Sequence, residues 1–210
     1  MKRLLLLTLG LTMIGAAKAQ EEKLEIKPSG RILLDGGLFK ANEQDDKFND
    51  GFAIPDMRVG FSASYGAWKA KVDMGYAYGK VNMKDVFIQY NFDKDASDFL
   101  RAGYFIHQFG LQSATSSSFK ISMEEPASNQ AFNNSRMIGL MYQHTRSKFL
   151  GTLSFFTESD AMKMTSDKLG NQGVGMMTRL VYKPFCEPGK IFHVGLSGAF
   201  ETPRYDSDAD

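Results

Sequence analysis

The chain has 210 residues and a formal charge of +1, with 43% hydrophobic, 23% charged and 12% aromatic residues. So balanced a charge excludes nucleic acid as the expected partner, and the single cysteine, Cys186, excludes an intramolecular disulfide. After the first nineteen residues no stretch approaches the roughly eighteen consecutive apolar residues that a spanning helix needs, so any membrane crossing must be made by strands.

Residues 1–19 carry a cationic head (Lys2, Arg3), an apolar core (4–15) and the small-residue sequence Ala17-Lys18-Ala19. That order is the pattern of a cleavable secretory signal, and the apolar core is too short to span a bilayer comfortably. Its removal takes away Lys2, Arg3 and Lys18 and no acid, which turns the formal charge of +1 into −2. Residues 20–29 follow as a charged lead-in, predicted to be a periplasmic extension because it is too short for a coiled coil.

From residue 30 onward the chain alternates with period two, the signature of strands. Nine strands of about membrane-crossing length are predicted, over 30–38, 56–65, 68–78, 81–92, 100–105, 136–144, 148–156, 173–182 and 191–200. The second is the clearest: Asp56, Arg58, Gly60, Ser62 and Ser64 face one way, and Met57, Val59, Phe61, Ala63 and Tyr65 the other. The third repeats the pattern, with Lys69, Lys71 and Asp73 opposite Trp68, Val72, Met74 and Tyr76. Cys186 is expected in a turn.

The connections alternate as well. Short, polar or Gly/Pro-bearing turns follow the even-numbered strands (65–67, 93–98, 145–147, 184–189). Long loops follow the odd-numbered ones (40–50, 106–135, 157–172), except for the brief Gly79-Lys80 link. Short turns at one rim and long loops at the other are the habit of a transmembrane β-barrel. Aromatics agree: Tyr65, Trp68, Tyr90, Phe92, Tyr142, Phe149, Tyr182 and Phe192 fall at the short-turn ends, and Tyr76, Tyr78, Tyr104, Phe155 and Phe200 at the other. A secreted β-sandwich that binds sugar or protein has a similar composition, but nothing in it requires the long-and-short rhythm.

No catalytic or metal constellation stands out. His107, His144 and His193 are scattered, and no carboxylate is spaced to orient any of them, so the expectation is a non-enzyme without cofactor or metal.

The runs GRILLDGGLF, DMRVGFSASYGAWKAKVDMGYAYGKVNMKDVFIQYNF and LRAGYFIHQFGLQSATSSSF, with MEE and AFNN behind them, resemble the phosphate-selective porins of the O/P type of Gram-negative outer membranes. The resemblance covers about 30–200, and its most specific part is 100–132. It implies an all-β antiparallel transmembrane barrel of about sixteen strands, a homotrimer in outer-membrane lipid, and a third loop, here 106–135, folded into the lumen as a constriction. It also implies passive diffusion of small hydrophilic solutes or inorganic anions past lumen-facing cations, with no covalent chemistry. Carried onto this chain, those cations are Arg31, Arg58, Lys69, Lys71 and Arg101, with Lys120 in the constriction loop; Asp35, Asp56, Asp73 and Asp85 share their face. The chain departs from the family pattern where Glu125 follows Met123-Glu124 and where Ile106 and His107 follow the fifth strand. Between Ser113 and Ser135 the only charges are Lys120, Glu124 and Glu125, a net of −1 where a phosphate filter is expected to be basic. Nine strands are about half of the implied barrel, so the chain is expected to be its amino-terminal portion and to form an open, curved sheet. A non-conducting structural barrel is the remaining alternative.

Overall fold

A computed structural model describes residues 23–38, 50–77, 79–111, 115–116, 119, 127, 135–157 and 172–202. Residues 1–19, expected to be a signal, most of the long loops, and the loop residues Lys120, Glu124 and Glu125 lie outside the described residues.

Alternating sequence and tight turns produce one antiparallel sheet. Its strands are β1 (Glu25–Gly37), β2 (Gly51–Tyr65), β3 (Trp68–Ala77), β4 (Lys80–Asn91), β5 (Asp98–Ile106), β6 (Arg136–Thr145), β7 (Phe149–Thr157), β8 (Val174–Glu187) and β9 (Lys190–Glu201). They pair strictly in chain order, β1 through β9, and the sheet is not closed. The Gly66-Ala67 hairpin shows why the short turns are short: Tyr65 pairs directly with Trp68, and Gly66 takes the left-handed φ of 56° that a two-residue loop demands.

Three strands run five residues beyond the limits that the alternation predicts; one is β2, which begins at Gly51 instead of Asp56. β1 begins at Glu25, so Glu25 to Ser29, expected in the lead-in, pair with Ser64 to Gly60 of β2. Pairing satisfies backbone groups of both strands, which outweighs the polar composition of that stretch. β8 continues to Glu187 through a register shift between Tyr182 and Phe185, so Cys186 pairs with Ile191 inside the sheet instead of sitting in a turn. Its thiol is free and exposed.

Burial across the sheet is inverted relative to a water-soluble domain. Leu34 is 75% exposed, Leu196 74% and Leu180 58%, whereas Asp73 (6%), Gln89 (4%) and Ser154 (0%) are buried. The sheet curves so that polar side chains crowd together on its inner face and apolar ones stand out from the other. On that outer face, at the short-turn end, Trp68 meets Tyr90 edge-on at 4.9 Å. Tyr90 then meets Phe92 at 5.3 Å, and Phe92 meets Tyr142 at 6.2 Å; Phe149 and Tyr182 pair at 4.9 Å farther round. These contacts form two stretches of an aromatic belt at that end of the sheet.

The inner face is not uniformly polar. Phe87, Phe99, Phe105 and Met141 form one buried apolar cluster, and Met137, Phe156 and Met177 form a second against which Phe109 packs. Alternation alone does not foresee these: the same inward positions carry charges on β2 and β3 and apolar groups on β4 to β8.

With the outer face in hydrocarbon, Leu180→Arg in the middle of β8 is expected to destabilise the inserted protein by about 2–4 kcal/mol. Ser64→Gln on the inner face is expected to change stability by less than about 0.5 kcal/mol. Denaturant unfolding in lipid vesicles checks both; equal costs would contradict the assignment of the faces.

Candidate functional site

The inner wall of β1 to β6 is a field of cations interleaved with aspartates. Arg31 on β1 and Arg58 on β2 are cross-strand neighbours, a like-charged pair that would repel without a counter-ion. Asp56 supplies it. Its carboxylate accepts from Arg31 Nη2 at 2.6 Å and Nε at 3.1 Å, and from Arg58 Nε at 2.9 Å, with Lys84 Nζ at 3.9 Å. One carboxylate therefore serves three cations. Beside it, Lys71 Nζ lies 2.5 Å from Asp73 and 3.7 Å from Asp85, while Arg136 Nε donates to Asp85 at 2.8 Å.

Lys69 and Arg101 occupy a different row. Lys69 pairs across β3 and β4 with Gln89, and Gln89 pairs across β4 and β5 with Arg101. Gln89 Oε1 accepts from Arg101 Nε at 2.9 Å and Nη2 at 2.7 Å. The guanidinium also lies over the rings of Phe87, Phe99 and Phe105, at 4.2, 4.9 and 5.4 Å from their centroids. Cation–π attraction holds the charge where water is largely excluded. Among the described residues, Lys69 has no carboxylate partner. Of the cations read from the sequence, Arg31, Arg58, Lys69, Lys71 and Arg101 therefore stand on this one face; among the described residues Arg101 and Lys69 both lack a carboxylate partner, and Arg101 is held instead by Gln89 and the three rings. Lys120 and the acidic Glu124 and Glu125 lie outside the described residues.

The sequence reading passed over Lys84, Arg136 and Arg179. Lys84 carries no pattern that could reveal it, because strict alternation from Val86 sends it outward. A register shift in the β3–β4 pairing between Val72 and Met74 places Lys84 and Asp85 inward side by side. Arg179 was legible, because its neighbour Leu180 faces outward and period two then turns Arg179 inward; Arg136 was not, because it shares the parity of the outward Ile138, and yet at the start of β6 its Nε reaches Asp85 at 2.8 Å.

At the short-turn rim, Asp93 accepts from the Ser97 hydroxyl and, at 2.8 Å, from the Ser97 N–H. These bonds hold its carboxyl below the usual carboxylate range. Thr145 N–H donates to the Ser97 carbonyl at 2.8 Å, and Asp98 lies 2.7 Å from His144 Nδ1 and 3.4 Å from Arg146. Two adjacent turns are thereby tied into one rim. Among the described residues no group of three His, Cys, Asp or Glu side chains converges as a metal site.

A family model for the phosphate-selective porins O and P matches residues 26–210. No curated protein matches the chain.

Removing the shared counter-ion should be costly: Asp56→Ala leaves Arg31, Arg58 and Lys84 facing one another. We expect a loss of about 1–3 kcal/mol in denaturant unfolding, and expect that Arg31→Gln in the same background recovers part of it. Absence of any recovery would show that the carboxylate does not act by neutralising this cluster.

Proposed function

Because the chain belongs to the phosphate-selective porin O and P family, we propose that it forms the wall of an outer-membrane channel through which small hydrophilic solutes, and inorganic anions in preference to cations, diffuse passively. The observation that carries this reading is the inverted sheet: apolar side chains stand outward where lipid would lie, and charged ones crowd the inner face where water would run. Such a sheet conducts without chemistry, because side-chain charges replace part of an ion's hydration and a weak, repeated attraction lets the ion leave again.

Anion preference follows from the balance on the inner face. Asp35, Asp56, Asp73 and Asp85 share this face with Arg31, Arg58, Lys71, Lys84 and Arg136, so the aspartates neutralise only part of the positive charge. Lys69 adds a charge with no carboxylate beside it, and Arg101 adds field from within the wall. Among the named residues Lys69 is the one best placed to touch a passing anion. Lys120 belongs to this proposal as the basic residue of the constriction loop, with Glu124 and Glu125 as the acids that oppose it.

A sheet with two free edges cannot rest in hydrocarbon, since every unpaired backbone group there costs several kcal/mol. The functional unit is therefore a barrel in which β1 and β9 both have partners, assembled as a homotrimer as the family resemblance implies. The secretory signal read from residues 1–19 fits export to that membrane.

Planar-bilayer recordings in a salt gradient test the proposal. The complete protein is expected to conduct with a reversal potential on the anion side. Lys69→Glu is expected to lower the anion-to-cation permeability ratio roughly two- to ten-fold, the range set by reversing one unit charge near the ion path. Cation preference in the unaltered protein would contradict the anion reading, and absence of conductance would leave a structural barrel.

A further inference from the structure

The segment that follows β5 does not leave the sheet at its rim; it lies along the inner face and reaches as far as β9. His107 is fully buried, with its ring 4.3 Å from Phe105 and 5.0 Å from Phe156, and its Nε2 is 3.3 Å from the Met137 carbonyl. The space for it is made by Gly139, where an added Cβ would come within 2.8 Å of His107 Cε1. Gln108 Nε2 donates to Gln143 Oε1 on β6 at 3.2 Å. Phe109 then packs on the cluster of Met137, Phe156 and Met177.

The far end of this short run is held by polar bonds. The Phe109 carbonyl accepts from Arg179 Nη1 on β8 at 2.7 Å and from Ser197 Oγ on β9 at 2.5 Å. A carbonyl has two lone pairs, and here a cation and a hydroxyl from adjacent strands take both. Arg179 is 7% exposed, and among the described residues it has no carboxylate partner. An arginine placed to attract ions would turn its guanidinium to water. This one is turned to a main-chain oxygen and covered.

We propose that Arg179 and Ser197 are positioning residues whose bracket on the Phe109 carbonyl fixes the root of the constriction loop against the channel wall, and so sets the steadiness of the open pore without setting its charge selectivity. The inference rests on the channel reading above and deepens it: the inner-face cations divide into those that face the ion path, such as Lys69, and one that serves as a strut.

Ser197→Ala and Arg179→Gln in the complete protein separate these roles. Ser197→Ala removes one arm of the bracket and no charge. Both variants are expected to show open-channel current noise several-fold above the unaltered protein, with an unchanged reversal potential. Trypsin cleavage after Lys120 in the detergent-folded protein is expected to run roughly five- to ten-fold faster, about the effect of one lost hydrogen bond between neutral groups. A reversal potential that moves toward cations in Arg179→Gln, with a quiet current and unchanged proteolysis in Ser197→Ala, would overturn the proposal and make Arg179 a pore cation. Should Arg179→Gln fail to fold, Ser197→Ala decides alone. Absence of channels in the unaltered protein would refute the channel reading while the proteolysis still reports on the bracket.

Discussion

On the proposed function the outward face of the sheet meets hydrocarbon, and the other features are arranged around that contact. Leu34, Phe61, Leu180, Leu196 and their neighbours stand exposed on the outer side. In water, burying each such side chain is worth about 1.5–3 kcal/mol, so a soluble protein would fold to cover them. In a bilayer they are already in their preferred solvent. The backbone has no such freedom, because unpaired amides in lipid have no water to turn to. Strict pairing of each strand with its chain neighbour answers that need everywhere except at β1 and β9, so on the proposed function the sheet would enter a membrane only with both edges paired.

The same inversion explains how so many charges can share one surface. Arg31 and Arg58 sit opposite each other, and Lys84 joins them through a register shift; the arrangement is tolerable because Asp56 lies between all three. On this face the short ion pairs supply much of the charges' solvation. Toward β5 the solution changes: Arg101 is held by Gln89 and by three phenyl rings instead of by a carboxylate. Farther on, the inward positions become apolar, and Phe109 covers part of them. The wall thus passes from a hydrated, charged sector to a dry one that seats the base of a loop.

Much of this was legible from the residues. Period-two alternation located all nine strands, because lipid and water impose opposite demands on successive positions of a strand. The short turns were readable from Gly66-Ala67 and, with limits too wide, from 184–189, where only Pro188-Gly189 turns; the aromatic belt was readable from Trp68, Tyr90 and Tyr182 at strand ends. Strand limits were less legible: Glu25 to Ser29 look like a solvated lead-in, and only pairing with β2 makes them a strand. Lys84 was invisible because a local shift in pairing resets which face it occupies. The apolar inner clusters were hidden for a different reason. An inward-facing Phe99 or Met141 reads as noise in a polar stripe until the chain after β5 is seen to lie along that side of the sheet.

Trp68 offers the most direct measurement of which face meets lipid, because it is the sole tryptophan in the chain and stands on the outer face against Tyr90, 41% exposed. In vesicles reconstituted with the complete protein, bromine-labelled lipids should quench its fluorescence, most strongly with bromine near the headgroups, while aqueous iodide should have little effect. Strong quenching by iodide with none by brominated lipid would place this face in water, and the inverted sheet, with the channel it encloses, could not stand.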